Sequence, residues 1–188
     1  MLVTGASRGI GAAVARVFAA AGDRVAVHYG SRRHEAEGVA ASLPGDGHVV
    51  VSADLADADA VLRMVTEVAA AFGGIDVLVN NAGVFEPHPI TETSYEQWQS
   101  AWDRTLGVNL VGAANATWCA VRHMGRGGRI VNVASRGAFR GEPNQPESPL
   151  GRIATPEEVA AAVLYLASPG AELASGTVLD FNGASYLR

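Results

Sequence analysis

The chain has 188 residues, 48% of them apolar and 18% charged, with a formal net charge of −5. That composition suits one soluble domain over residues 1–188 and contains no apolar run of the ~20 residues that crossing a bilayer requires. The acidic balance argues against nucleic-acid binding, which draws on clustered cations, and no basic run exceeds Arg32-Arg33. All 14 basic residues are arginine and the chain has no lysine. Neither a basic flank nor a cleavage site marks a signal peptide at the start, which makes the cytoplasm the default location. Cys119 is the single cysteine, lies in an apolar helical stretch and reads as a buried structural thiol. The five histidines lack metal-ligand spacing, so no metal site is expected.

In chain order, short β-branched runs alternate with longer helical patterns, the signature of a doubly wound parallel α/β sheet of the Rossmann type. Strands are expected near Leu2–Thr4, Arg24–His28, Val49–Ala53, Val77–Asn80, Arg129–Val133 and Val178–Phe181, six in all. Helices are expected near Ile10–Ala21, Arg32–Ser42, Ala58–Phe72, Tyr95–Arg104, Asn109–His123 and Pro156–Ala167. The last helix is the best marked, with Thr155 as N-cap, Pro156 in its first turn and Glu158 completing a capping box. Gly73-Gly74 closes the third helix, and Gly125 through Gly128 separates the fifth from the strand at Arg129. The first strand has only about three residues where ~5 to 6 is usual, as though its natural start lay further upstream.

The opening Leu2-Val3-Thr4-Gly5-Ala6-Ser7-Arg8-Gly9-Ile10-Gly11 joins a strand to a helix through a glycine-rich turn. Such a turn needs one residue tolerant of positive φ, a backbone that phosphates can approach, and close helix–strand packing, needs that Gly5, Gly9 and Gly11 can meet. The helix from Ile10 then directs free N–H groups and a partial positive charge at a pyrophosphate.

These residues make the chain resemble the short-chain dehydrogenases/reductases, close to their 3-oxoacyl-carrier-protein reductase and sugar dehydrogenase branches. Thr4 through Gly11 matches the family's cofactor motif, with Gly5, Ser7, Arg8, Gly9, Ile10 and Gly11 as cofactor contacts. Asn80-Asn81-Ala82-Gly83 matches the segment beside the cofactor, and Asp54-Leu55 matches the acidic pair at the adenine. Asn109 falls at the active-site asparagine and Ser135 at the catalytic serine, while Ser148-Pro149-Leu150-Gly151-Arg152 through Asn182-Gly183 resembles the family's ending. Each residue also has a plainer reading: Asn81 as a strand bridge, Asp54 as part of a helix N-cap, Ser135 as a strand-end turn residue. The resemblance implies a small carbonyl or alcohol substrate and a homodimer or homotetramer in which the Asn109–His123 helix is an interface element. No nucleic acid, membrane or metal partner is implied.

Charge bears on the cofactor. NAD enzymes place a carboxylate at the end of the second strand, where it would repel a 2′-phosphate. This chain has His28-Tyr29-Gly30-Ser31-Arg32-Arg33 there, so Ser31, Arg32 and Arg8 favour NADP(H) over NAD(H). The plainer alternative leaves Arg32 and Arg33 as solvated residues opening a helix.

One part of the pattern is absent. The family's proton relay is a Tyr-x-x-x-Lys pair, and none of Tyr29, Tyr95, Tyr165 or Tyr186 can have a lysine four residues on. Ser148 and Arg152 stand at that spacing by coincidence, since Pro149 would disrupt the helix that the pair requires. The simplest account is a missing block between Gln145 and Ser148, on the order of 50 residues, or more than one βαβ unit. The block is either absent from the molecule or present in it beyond these 188 residues. If it is absent, the strand near Val178–Phe181 is expected to take the vacated slot through one right-handed crossover. Val84–His88 and Arg136–Arg140 are the remaining candidates for touching substrate.

Overall fold

The structure is a computed structural model that describes residues 1–135 and 149–181. In chain order its elements are β1 (Leu2–Val3), α1 (Gly9–Ala20), β2 (Ala26–Tyr29), α2 (Arg33–Ser42), β3 (Val49–Ser52), α3 (Ala58–Phe72) and β4 (Val77–Asn80). There follow α4 (Tyr95–Leu106), a π-helical stretch (Gly107–Gly112), α5 (Ala113–Val121), β5 (Arg129–Asn132), α6 (Pro156–Ala167) and a 3-10 turn (Pro169–Ala174). The strands pair in parallel in the order β3-β2-β1-β4-β5.

Parallel strands are buried on both faces, and these alternate as the two-residue period demands. Val3, Val25, Val27, Val77 and Val79 pack on the side of α1, α2 and α6, whereas Leu2, Ala26 and Leu78 pack on the side of α3 and α5. α1 lies against α6, and α3 against α5. α3 earns its place through Val61, Met64, Val65, Val68 and Ala69, all buried at helical spacing. Asp57 caps its start by accepting from the N–H groups of Asp59 and Ala60, and left-handed Gly73 ends it.

α6 begins as its sequence announces. Thr155 Oγ1 accepts from Glu158 N–H, and Glu158 Oε2 accepts from Thr155 N–H at 2.8 Å. Arg152 adds a bidentate pair to the same carboxylate at 2.6 and 2.7 Å. The guanidinium, with the Thr155 N–H after it, pulls the Glu158 carboxyl down to about 2. Arg152 thus has a structural occupation in place of a relay role.

Two expectations need correction. Among the described residues the sheet has five strands, not six: residues 177–181 have no strand assignment, and Val178, Leu179 and Phe181 are exposed. A parallel strand needs helices over both faces, and among the described residues no helix covers these side chains. The helix expected over Asn109–His123 starts instead in the π-helical stretch and ends at Val121. Arg136–Arg140, the junction through Ser148, Asn182-Gly183 and Tyr186 lie outside the described residues.

Because Leu78 is fully buried in the centre of the sheet, Leu78→Ala should lower unfolding free energy by about 2–5 kcal/mol in urea titration. A loss under about 1 kcal/mol would contradict this placement.

Candidate functional site

The strand order reverses between β1 and β4, so the loops leaving their carboxyl ends face each other across a crevice, the place where open α/β sheets hold ligands. Thr4 stitches these loops together. Its Oγ1 accepts from Asn81 N–H at 2.9 Å and Ala82 N–H at 3.0 Å while donating to Val79 O at 3.3 Å. Asn81 returns the contact, its Nδ2 donating to Thr4 O at 2.9 Å and Gly5 O at 3.2 Å. The strand-bridging role of Asn81 is therefore met directly.

This stitching leaves no space for side chains at two glycines. A Cβ on Gly11 would stand 2.4 Å from Gly5 O and 2.5 Å from Asn81 Nδ2, and one on Gly5, whose φ is +64°, would stand 2.8 Å from Ala82 Cα. Gly9 differs: its φ is +55°, yet nothing lies within 4 Å of its Cβ position. Gly9 keeps the turn open where Gly5 and Gly11 keep it tight, which fits a backbone approached by phosphate oxygens.

The start of α1 reinforces that fit. α3, α4 and α6 begin with the side-chain caps Asp57, Ser94 and Thr155, whereas α1 has Arg8 at its N-cap, no side-chain cap and no acidic residue in its first turn. Its positive end is left for an anion. Ser7 is half-buried and Arg8 exposed, and neither side chain has a hydrogen bond or ion pair among the described residues. Ile10 packs against the core. At the end of β2, Ser31 and Arg32 are exposed, with Arg32 paired to Glu35 at 3.1 Å and Arg33 to Glu37 at 2.7 Å.

Beyond β3, Asp54 Oδ1 accepts from Ala56 N–H at 3.0 Å, and both carboxylate oxygens accept from Arg104 Nη1 at 2.8 Å. The Ala56 amide and then Arg104 hold this carboxyl below the usual carboxylate range. Asp54 belongs to the turn before α3, but the helix cap itself is Asp57, and Leu55 is a buried core residue. The π-helical stretch leans on this turn, since a Cβ on Gly112 would come within 2.6 Å of Leu55 O.

Asn109 lies inside that stretch. Its Oδ1 accepts from Val84 N–H and its Nδ2 donates to Val84 O, both at 2.8 Å, pinning the chain just beyond Gly83. With both ends of its amide bonded to the Val84 backbone, Asn109 fixes the loop after β4. Next to it Asn80 Nδ2 donates to Thr117 Oγ1 at 3.0 Å and Asn132 Oδ1 at 2.9 Å, joining the ends of β4 and β5. Ser135 is exposed three residues past β5, on the same carboxyl edge as Gly83. Cys119 is buried, and desolvation pushes its thiol up, as befits a structural side chain.

Sequence reasoning passed over His28. It is buried in β2 among apolar neighbours, Nδ1 accepts from Gly5 N–H at 2.9 Å, and Nε2 lies 3.1 Å from Ala53 O. A histidine directly after the apolar run Val25-Ala26-Val27 was the available signal.

The class of protein is set by this geometry: a doubly wound sheet with a dinucleotide-type glycine loop at its switch point. The sequence profile described as short chain dehydrogenase matches residues 1–147, and the chain belongs to that family. It is 32% identical over 245 residues to the D-threitol dehydrogenase of Mycolicibacterium smegmatis, covering 100% of this chain and 92% of that protein. It is 38% identical over 148 residues to the 3-oxoacyl-[acyl-carrier-protein] reductase of Staphylococcus aureus, covering 77% of this chain and 58% of that one. The chain thus spans little more than half the length of several curated relatives that it matches. Among solved structures it is similar to a short chain dehydrogenase from Burkholderia cenocepacia in complex with NADP, with a TM-score of 0.84, 29% identity and coverage of 98% and 96% of the two chains.

Two outcomes test the site. Gly11→Ala should collapse the loop, lowering the melting temperature and abolishing nucleotide binding; an unchanged melting curve with full binding would contradict the crowding at Gly11. The second concerns pH: burial holds His28 below the ordinary histidine value. The unfolded chain therefore gains a proton first, so stability is full above about pH 6.5 and falls as pH drops from there toward the lowered folded value. His28→Asn should remove that slope, and equal slopes in the two proteins would contradict it.

Proposed function

We propose that the chain is an NADP(H)-dependent oxidoreductase of the short-chain dehydrogenase type, serving hydride transfer between the nicotinamide and a small carbonyl or alcohol in the cytoplasm. The observation that carries this reading is the Gly5–Gly11 loop, with two glycines that exclude any Cβ and an uncapped helix start beside Asn81-Ala82-Gly83. Gly5, Ser7, Arg8, Gly9, Ile10 and Gly11 would hold the pyrophosphate, and Asn81, Ala82 and Gly83 would border the nicotinamide half. Asp54 and Leu55 would border the adenine half, with the Asp54 carboxylate already steadied by Arg104. When bound, NADP(H) supplies or accepts the hydride. Ser135 would orient the substrate oxygen, and Asn109 would position the loop that supports the relay.

Preference for NADP(H) over NAD(H) is supported by charge. The end of β2 carries Tyr29, Gly30 and Ser31 in place of a carboxylate, and Arg8 is exposed without an ion pair among the described residues. Arg32 would have to release Glu35, but an exposed pair of this kind is worth only about 0–1 kcal/mol, which a charge-assisted phosphate contact exceeds. Exposed Leu106, Leu110, Val111, Trp118 and Val121 along α4, the π stretch and α5 support assembly into a homodimer or homotetramer.

The relay is what these 188 residues lack. Hydride arriving at a carbonyl carbon leaves an alkoxide that needs a proton, and losing the acid costs about 10²–10⁴ in rate. An alignment to the threitol enzyme longer than this chain, and a family match that stops at residue 147, support a missing block near 145–148. If that block is absent from the molecule, the second reading applies: a protein that holds NADP(H) without turning it over.

The test combines intact mass with NADPH titration and turnover on small aldehydes and ketones. A mass near 19.4 kDa with tight NADPH binding and no turnover would assign the second reading, and turnover would assign the first. Affinity for NADPH should exceed that for NADH by about tenfold or more and lose this margin in Arg8→Glu. Failure to bind either nucleotide would overturn both readings.

A further inference from the structure

We infer that His28 is a positioning residue of the nucleotide loop, one that works through the single tautomer which accepts from Gly5 N–H. The inference rests on the nucleotide-site reading above and adds to it a residue outside the glycine motif.

The tautomer follows from the two contacts of the ring. Ala53 O can only accept, so Nε2, 3.1 Å away, must carry the hydrogen. Nδ1 is then bare and free to accept from Gly5 N–H at 2.9 Å. Burial keeps this neutral form in place, because charging a ring that is 2% exposed would strip it of water and set Nδ1–H against the Gly5 N–H.

The main chain of His28 completes the grip, its carbonyl accepting from Ala6 N–H at 2.8 Å. Two consecutive amides of the loop are thereby spent on one residue of β2, and the next backbone N–H held within the chain among the described residues is that of Ala12, which donates to Arg8 O at 3.2 Å. The same ring reaches Ala53, the residue before Asp54, so the glycine loop and the adenine-side turn share one rigid support. A histidine that merely filled the core would be replaceable by any side chain of similar size. One that holds Gly5 at φ +64° is replaceable only by a side chain that keeps an acceptor at the same point.

Asparagine and leucine separate these cases. In His28→Asn the side-chain oxygen stands where Nδ1 stood and keeps the Gly5 contact while losing Ala53. In His28→Leu both contacts go while the apolar bulk remains. Both variants should melt at lower temperature than the wild type. NADPH affinity, read by fluorescence titration, should stay within about threefold in His28→Asn and fall by about tenfold or more in His28→Leu. Equal weakening in both variants, or wild-type affinity in His28→Leu, would overturn the inference. A measurement on the wild-type protein covers the case in which His28→Leu does not fold: ring 15N spectra should show hydrogen at Nε2 and none at Nδ1, and the opposite tautomer would overturn it. Absence of NADPH binding by the wild type would overturn the nucleotide-site reading, whereas the ring spectra judge the His28–Gly5 contact by themselves.

Discussion

The structure depends on how closely the turn after β1 approaches the turn after β4. Gly5, Gly11, Asn81 and Ala82 come so near one another that a single added methyl group meets backbone at under 3 Å. Packing at that distance is tolerable only if the buried polar backbone is satisfied, and Thr4 Oγ1 with Asn81 Nδ2 satisfies it. The α1 axis, the open face at Gly9 and the direction of the helix dipole all follow from that contact.

A second set of polar contacts carries rigidity outward along the carboxyl edge. Asn80 joins β4 to β5, Asn109 pins the chain after Gly83, and Arg104 steadies Asp54. Each uses a short amide or a planar guanidinium whose geometry is fixed by two or more bonds, so loops otherwise free to move inherit the order of the sheet. The π-helical turn at Gly107–Gly112 belongs to the same set, because it brings Asn109 to Val84 while laying Gly112 against Leu55.

Most of the fold could be read from the sequence because its signals were redundant. α3 has the bounds expected from an apolar helical period ended by Gly73-Gly74, and α6 those expected from its period and the Thr155–Glu158 capping box; β4 also has its expected bounds, Val77–Asn80. The π turn was hidden, since six residues are too few to distinguish its period from that of an α-helix. Val178–Phe181 was expected as a strand because its side chains suit one, but pairing depends on what covers the segment, a tertiary property. The glycine loop and Asn81 were legible through motif spacing; the oddity of a histidine in β2 was legible too, but not that its partner would be Gly5, 23 positions away. The Tyr-x-x-x-Lys pair that the resemblance leads one to expect showed only as a gap in a pattern.

The central claim is that the loop from Gly5 to Gly11 is a preformed seat for a dinucleotide pyrophosphate. Its most direct test is a 1H–15N titration with NADPH on the assigned protein. The account predicts the largest amide shifts at Ser7 through Gly11 and at Asn81 through Gly83, with β2 and β4 unmoved. Shifts centred elsewhere, or a reorganisation of β1 and β4 on binding, would contradict it.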